Sequence, residues 1–552
     1  MSQDHVFYIL VSNIIISEED DMKMKIAERL ECHRDDIFDI QILKRSVDGR
    51  RRPPVWLGNY KVEIHNKNVY ETILLKPKHG VRPFNSRDKK RHQMVDFSFS
   101  DDFVWPKQKR VIVVGAGPAG MFAALRLAQA GANAILLERG GDVQDRHVKV
   151  RQFWRHQDLH AECNVVYGEG GAGAFSDGKI YTRKRDGELG WVFEQLVKYG
   201  ADPEILEEGW AHLGTDKIRE ILPNIRQAIL QNGIEVQFHC RVTDLIVDNN
   251  ICKGVLVEDE SGEKERIEGD FVIMATGHSA RDSWEIMLRS GAAAEIRPIR
   301  IGARIEHPQK LIDISRYGQE RGELPPASYR LVSKPKTGRG AHTFCMCPGG
   351  TVVGATAQSG RVVVNGMSYS GRKAFYANSA IIVQVEPSDY DGTDPMAGVR
   401  FQDAIEQKAF EMTENTFRAP AQNVKDFLQK KKSTSIRKTS FPQGVHPCNL
   451  WELFPTEIAE GLKMAILQFD KKISGFASED GVLIAPETRT SAPIRFLRDD
   501  FLCSTTIQGL MPVGEGAGYA GGIASAALDG FRAVQSIVKM IDVAEQKSSM
   551  NL

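Results

Sequence analysis

The chain opens on an apolar run, Phe7 to Ile16, that reads as a strand. Glu18 to Arg29 follows as a short helix with Met22, Ile26 and Leu30 on one face. Ile37 to Lys44 and Val62 to His65 predict further strands, parted by the turn-rich SVDGRRRPP, and a short helix starts near Lys67. That order predicts a small ferredoxin-like α+β domain over residues 1–100. The polar stretch Asn85 to Gln93 and the segment Trp105 to Lys109 read as a linker, its basic residues solvating the connection.

A different rhythm begins in KRVIVVGAGPAGMFAALRLAQAGANAILLER, residues 109–139. The strand Val111 to Val114 runs into Gly115, Gly117 and Gly120, a helix-length Ala/Leu stretch follows, and a second apolar run ends at Glu138. This is the order of a βαβ dinucleotide clamp. Gly115 permits the tight turn, Gly117 lets backbone approach a pyrophosphate, and Gly120 lets the helix pack on the sheet. Pro118 and Ala119 open that helix, whose free amides suit phosphate. Glu138 is spaced to receive ribose hydroxyls, and Arg139 stands beside it.

Beyond the clamp, residues 142–160 are polar and helical for much of their length, and WVFEQLVKYG and DKIREILPNIRQAILQNG predict helices. Pro223 is expected to end or kink one of them. IEVQFHCRVTDLIVDN contributes to the main sheet, while CKGVLVED and part of GDFVIMATG form a side hairpin that returns to it. From Ile296 to Phe496, strand-like segments (IRIGARIEHP, ASYRLVSK, HTFCMCPGG, RVVVNG) alternate with loops, and helices are predicted near 398–410 and 456–469. A strand, Gly-rich loop and helix then return in TTIQGLMPVGEGAGYAGGIASAALDGF. The expected architecture is α/β. A Rossmann-like split FAD-binding domain, residues 108–290 and 501–552, receives an inserted mixed α+β substrate or cap domain, residues 291–500, after the small N-terminal α+β domain.

FAD, rather than NAD, is favoured by three further segments. In YGEGGAGAFSDGK, Gly170, Gly171 and Gly173 remove side-chain bulk so that amides can surround phosphate or flavin oxygens, with Ser176, Asp177 and Lys179 close by. A strand ending at Thr276 and Gly277 brings backbone to the dinucleotide, and Val242 joins the same set. In GEGAGYAGGI, Gly514 and Glu515 form the turn before the flavin-side helix, and Gly521, Gly522 and Ile523 can face the pyrimidine edge of the flavin.

Together the segments GEGGAGAFSDGK, CMCPGG, ETRTSAP and GEGAGYAGGI resemble the glutathione-reductase-type FAD superfamily, and especially its uncharacterised bacterial FAD-dependent dehydrogenases, over nearly the whole chain. The resemblance implies a split FAD domain and a family-specific middle domain, without a settled substrate. No second GxGxxG unit lies between residues 290 and 510 and no CxxC redox pair is present, which argues against disulfide-reductase chemistry. NAD(P)H could still visit the flavin transiently.

Composition narrows the field without deciding it. At 552 residues several domains are expected. With 72 basic and 72 acidic residues, a globally nucleic-acid-binding surface is disfavoured, though not a local patch. The basic run QKKKSTSIRK reads as a solvated loop. No apolar stretch reaches the roughly 18–20 residues of a membrane span, and eight scattered cysteines give no disulfide framework or zinc pattern. Cytoplasmic residence and no metal are the expectations. Catalytic candidates are Cys345 and Cys347, as flavin-contacting or redox thiols or as turn packing, and Arg489, as an anion-orienting group or a loop ion pair. His278 is a further candidate, as a proton shuttle or a cap. The function expected is hydride transfer between an unidentified small molecule and flavin N5. Alternatives are a flavin monooxygenase, an isoprenoid-type ene-reductase or a flavin-bearing RNA-interacting protein.

Overall fold

In a computed structural model, described for residues 6–16, 21–76, 78–86, 88, 97–99, 103–180, 187–207, 212–335, 337–390, 392 and 394–550, the chain is built on three large sheets and two small ones. Parts of the expected first helix (Glu18 to Asp20) and most of the expected linker Asn85 to Gln93 lie outside the described residues.

The N-terminal strands Phe7–Ile16, Asp39–Asp48, Val55–Ile64 and Val81–Pro83 make one antiparallel sheet in the spatial order second, third, first, fourth. Helices Met22–Leu30 and Lys67–Leu75 connect them. Ile9, Val11, Ile26, Leu30, Val62 and Ile64 close a small core of their own, which accounts for the apolar start of the chain.

Five parallel strands form the central sheet, in the order Leu510–Pro512, Phe271–Met274, Arg110–Val114, Asn133–Leu137, Glu235–Gln237. All but the last are near-continuously buried, as a parallel sheet covered on both faces demands. Helices Pro118–Gln129 and Ile523–Met550 pack closely against each other: a Cβ at Gly530 would sit 1.9 Å from the Ala119 carbonyl oxygen. Thus the last strand and helix of the chain complete a sheet begun some 400 residues earlier. Cys240–Asp248, Ile251–Asp259 and Lys264–Glu268 form a three-stranded side sheet; the expected hairpin partner GDFVIMATG lies instead in the central sheet as Phe271–Met274, and the run expected in the main sheet leaves only Glu235–Gln237 there.

The inserted region builds a mixed sheet in the order Val332–Ser333, Ala341–Gly354, Tyr376–Val385, Ile299–Pro308, Val482–Glu487, Ala419–Asn423, Val445–Pro447, with Val364–Met367 pairing the far half of Ala341–Gly354. Helices Ala397–Glu411 and Thr456–Asp470 accompany it. Two expectations need correction. ASYRLVSK contributes only the two-residue strand Val332–Ser333, because Ala327, Tyr329 and Leu331 are buried as loop residues. Pro223 does not end its helix, which runs unbroken from Thr215 to Gln231; Ile218, Ile221, Leu222, Ile225 and Ile229 anchor it on both sides of the ring.

Candidate functional site

A cavity of about 340 Å3 lies where the C-terminal ends of the central strands meet the inserted sheet. This is the crevice in which doubly wound sheets bind ligands. Its wall takes in three segments far apart in sequence: Gly115 and Gly117–Ala119, Gly171–Lys179, and Gly514–Glu515 with Gly521–Ile523. Glu138, Arg139, Val242, Thr276, Gly277, His278, Cys345 and Arg489 complete the expected residues on that wall.

The glycines explain why these loops can converge. Gly115 has φ +100°, and a Cβ there would sit 2.6 Å from the Ala275 carbonyl oxygen. A Cβ on Gly120 would lie 1.8 Å from the Gly115 oxygen, so this residue serves packing beneath the turn and does not line the cavity. Gly117 differs: its backbone is extended, and a Cβ would meet nothing closer than the Gly171 Cα at 3.9 Å. Added Cβ atoms at Gly277, Gly521 and Gly522 would meet nothing within 4 Å. These glycines therefore keep open space rather than fill contacts, the property a dinucleotide-binding cradle requires. Gly170, another expected contact, is turned away; its amide donates to the Ala116 carbonyl at 2.7 Å, and it borders a small apolar cavity with Leu222 and Ile225.

At the clamp end the buried Glu138 carboxylate accepts three backbone N–H groups, from Ala116 (2.7 Å), Gly140 (2.9 Å) and Gly168 (2.9 Å). It ties the glycine turn to the loop that follows the next strand, and any ribose hydroxyl would share its remaining acceptor capacity. Arg139 lies over the Tyr167 ring at 4.2 Å and pairs with Glu162 and Asp282.

The inserted sheet supplies the opposite wall. Arg304, fully buried, grips Glu487 through Nε (2.5 Å) and Nη2 (3.0 Å), and donates to the Cys345 carbonyl (2.8 Å) and to Asn365 (2.8 Å). Burial pushes Glu487 up to about 7, against the pull of Arg304. Cys345 has φ +43° at a break in the strand ladder and faces the cavity; Cys347 is fully buried behind it and does not. Hence only Cys345 of the CxC pair lines the cavity.

Lys179 reaches the same wall, donating to the Met346 carbonyl and lying 3.1 Å from Asp177. Burial would raise Asp177, but Lys179 and His212 outweigh it and hold the carboxyl far below its ordinary range. His212 was not evident in the sequence. Arg372 Nε donates to its Nδ1 at 3.0 Å, so the proton sits on Nε2, 3.1 Å from Ser368 Oγ, and the Ser368 hydroxyl donates to Asp177. The result is a buried line from His212 through Ser368 and Asp177 to Lys179 at the cavity.

Arg489 is engaged: Nε (3.1 Å) and Nη2 (2.7 Å) bond the fully buried Glu406, which Arg281 also holds at 3.0 Å. Burial, with two neighbouring arginines, lowers His278 to about 4, and its Nδ1 stands 3.5 Å from Glu515. Burial raises Glu515 to about 7. Phe344, Asn365, Glu487 and Thr490 also line the cavity and were not singled out from sequence, although Glu487 and Thr490 flank Arg489 within ETRTSAP. Among the described residues no group of three or more His, Cys, Asp or Glu is placed to hold a metal ion.

Known proteins agree with this layout. A family profile described as "FAD-dependent protein, C-terminal domain-like" matches residues 298–490. A profile described as "FAD binding domain" matches residues 110–148 and 181–298, and a domain of unknown function, DUF8436, matches residues 6–65. An uncharacterized protein of Clostridium beijerinckii is 39% identical over 543 residues, covering 97% of this chain and 99% of that one. The chain belongs to that protein's family, one of FAD-dependent proteins. It binds FAD and is a flavin-dependent oxidoreductase. The FAD-binding match is to the FAD_binding_2 profile rather than to a glutathione-reductase-type one, which corrects the glutathione-reductase-type resemblance. The GxGxxG clamp alone does not separate the two, since both need the same approach to a pyrophosphate.

More distant likenesses cover less or agree less closely. The 6-hydroxy-3-succinoylpyridine 3-monooxygenase HspB of Pseudomonas putida is 28% identical over 31% of this chain and 41% of its own. The E. coli quinol fumarate reductase FrdA structure aligns over 79% of this chain and 71% of its own at 14% identity, with a TM-score of 0.37. No helix among the described residues is long and apolar enough to cross a membrane.

Proposed function

We propose that this family member transfers hydride between a small organic substrate and FAD at the junction of the central and inserted sheets. The observation that carries this reading is a single cavity bounded by all three glycine segments, the second ending at Lys179, and by Cys345, Asn365 and Glu487 of the inserted sheet. The proposal takes residues 108–290 with 501–552 as the cofactor-binding unit and 291–500 as the substrate-facing unit.

Gly115, Gly117, Pro118, Ala119, Glu138 and Arg139 would hold the adenosine-diphosphate half, with Gly120 packing the turn. Gly171, Gly173, Ser176, Thr276 and Gly277 would border the middle of the cofactor, with Gly514, Glu515 and Gly521–Ile523 at the flavin. Bound FAD supplies hydride acceptance and donation at N5. Lys179 stays charged, because Asp177 offsets the cost of burying it, and so presents a proton donor to an anionic or developing negative charge. Glu487, near 7, can hold or release a proton at the same wall. Arg489 shapes this wall through Glu406 rather than meeting substrate. All eight cysteines are free, which suits a reducing compartment such as the cytoplasm.

The test is anaerobic screening of freshly purified holoprotein against metabolites, NADH and NADPH, followed by flavin absorbance. Reduction by an organic donor, or reoxidation by an organic acceptor, supports the reading. A flavin that cycles only with dioxygen and inserts oxygen into product would overturn it in favour of a monooxygenase.

A further inference from the structure

We propose that Cys345 and Cys347 form a dithiol–disulfide couple that exchanges electrons with the flavin, giving the protein a second redox centre beside its cofactor. The inference rests on the reading of the cavity as the FAD site. Three features converge on it.

The first is placement. Cys345 is on the cavity wall, while Cys347, two residues on, lies buried directly behind it and donates through Sγ to the Cys345 carbonyl at 3.2 Å. The second is backbone. Regular strand residues two apart point the same way but stand too widely spaced for easy bridging. Here the ladder is interrupted between Phe344 and Cys347, and Cys345 takes the left-handed conformation that non-glycine residues rarely adopt. That break leaves the Cys347 sulfur 3.2 Å from the Cys345 carbonyl oxygen, folded back against the residue that lines the cavity. Gly350 makes room behind them, since a Cβ there would stand 2.9 Å from the Cβ of Cys347.

The third is charge. Arg304 Nη1 lies 3.8 Å from the Cys347 sulfur, and Lys179 bonds the intervening Met346 carbonyl. The adjacent Cys347, with Lys179 and Arg304 acting against the cost of burial, draws Cys345 down toward the thiolate, while burial holds Cys347 protonated. A thiolate at the cavity backed by a protonated resolving thiol is the arrangement that disulfide formation needs.

The step balances. The Cys345 thiolate and the Cys347 thiol join through a new S–S bond, the Cys347 S–H bond breaks, and two electrons and one proton leave. Oxidised flavin is the acceptor of both and becomes the reduced anion; the reverse reaction reopens the disulfide. No CxxC is required, and the two thiols come from one strand.

Electron counting tests this. Air-oxidised holoprotein is titrated anaerobically with dithionite while flavin absorbance is followed, and cysteine peptides from oxidised and reduced samples are mapped by alkylation and mass spectrometry. The wild-type protein is expected to take up four electrons per flavin, and Cys345→Ser and Cys347→Ser two each. The 341–354 segment should be unalkylated and lighter by two hydrogens when oxidised, and doubly alkylated when reduced. Peptide mapping of the wild type keeps the test open should either variant misfold. Uptake of two electrons per flavin by the wild type, or alkylation of both cysteines in the oxidised protein, would overturn the couple while leaving the flavin reading intact. A folded protein without flavin would instead remove the reading on which it rests.

Discussion

Replacing Gly117 with alanine separates cofactor binding from folding. The residue is in extended backbone, so alanine meets no conformational penalty, and its methyl would touch only the Gly171 Cα, at 3.9 Å. The protein loses at most about 1 kcal/mol from a poorer helix N-cap. The methyl projects into the space where the pyrophosphate must approach backbone, and overpacking of this kind costs about 1–3 kcal/mol. That corresponds to roughly 5- to 150-fold weaker FAD binding. Gly120→Ala makes the contrast, because its methyl would lie 1.8 Å from a backbone oxygen that cannot step aside. It should lower stability by more than Gly117→Ala does. The assay is paired: FAD titration into flavin-free protein by fluorescence quenching, and urea unfolding of the same preparations. Wild-type FAD affinity in folded Gly117→Ala, or wild-type stability in Gly120→Ala, would refute the reasoning.

Other residues give independent tests. Arg304→Met leaves Glu487 buried without its bidentate partner and should cost about 3–5 kcal/mol in urea unfolding, whereas a loss below 1 kcal/mol would show that the pair is not closed in solution. Among the described residues, buried Glu306 has Ser440 alone as hydrogen-bond partner, and burial raises it to about 7 from an ordinary 4.5. Its contribution to stability is complete below pH 4.5 and is lost as pH rises through about 7. The loss is on the order of 3 kcal/mol, and Glu306→Gln should flatten that part of the stability profile. Glu406 behaves oppositely: burial opposes ionisation, but Arg489 and Arg281 bring it down to about 2, so its contribution holds above pH 4.5 and disappears as pH falls toward 2. Acid unfolding of Glu406→Gln should therefore be less steep over that window.

The central sheet and its glycine turns were legible because their signals are local. An apolar strand, a glycine at φ +100° and an Ala-rich helix follow one another within thirty residues, and the returning strand and helix at 510–550 carry the same pattern. Pro223 shows the limit of local rules, since buried isoleucines and leucines on both sides hold the helix through it. The substrate-facing wall was largely hidden because its pairs are long-range. Arg304 meets Glu487 only when two strands of the inserted sheet pair, and Asp177 meets Ser368 only when that sheet packs over the crevice. Arg489 was visible in ETRTSAP, yet whether it faced an anion or Glu406 depended on a helix some eighty residues away. The motif at Gly115–Gly120 likewise fixed a dinucleotide clamp without fixing which FAD-binding family it served.

FAD binding at this site requires remote loops to close around one cofactor, and hydrogen exchange read by mass spectrometry tests that most directly. Adding FAD to flavin-free protein should slow exchange together in peptides covering 115–121, 171–179 and 514–523. Protection of the first segment alone, with the other two exchanging as before, would contradict it.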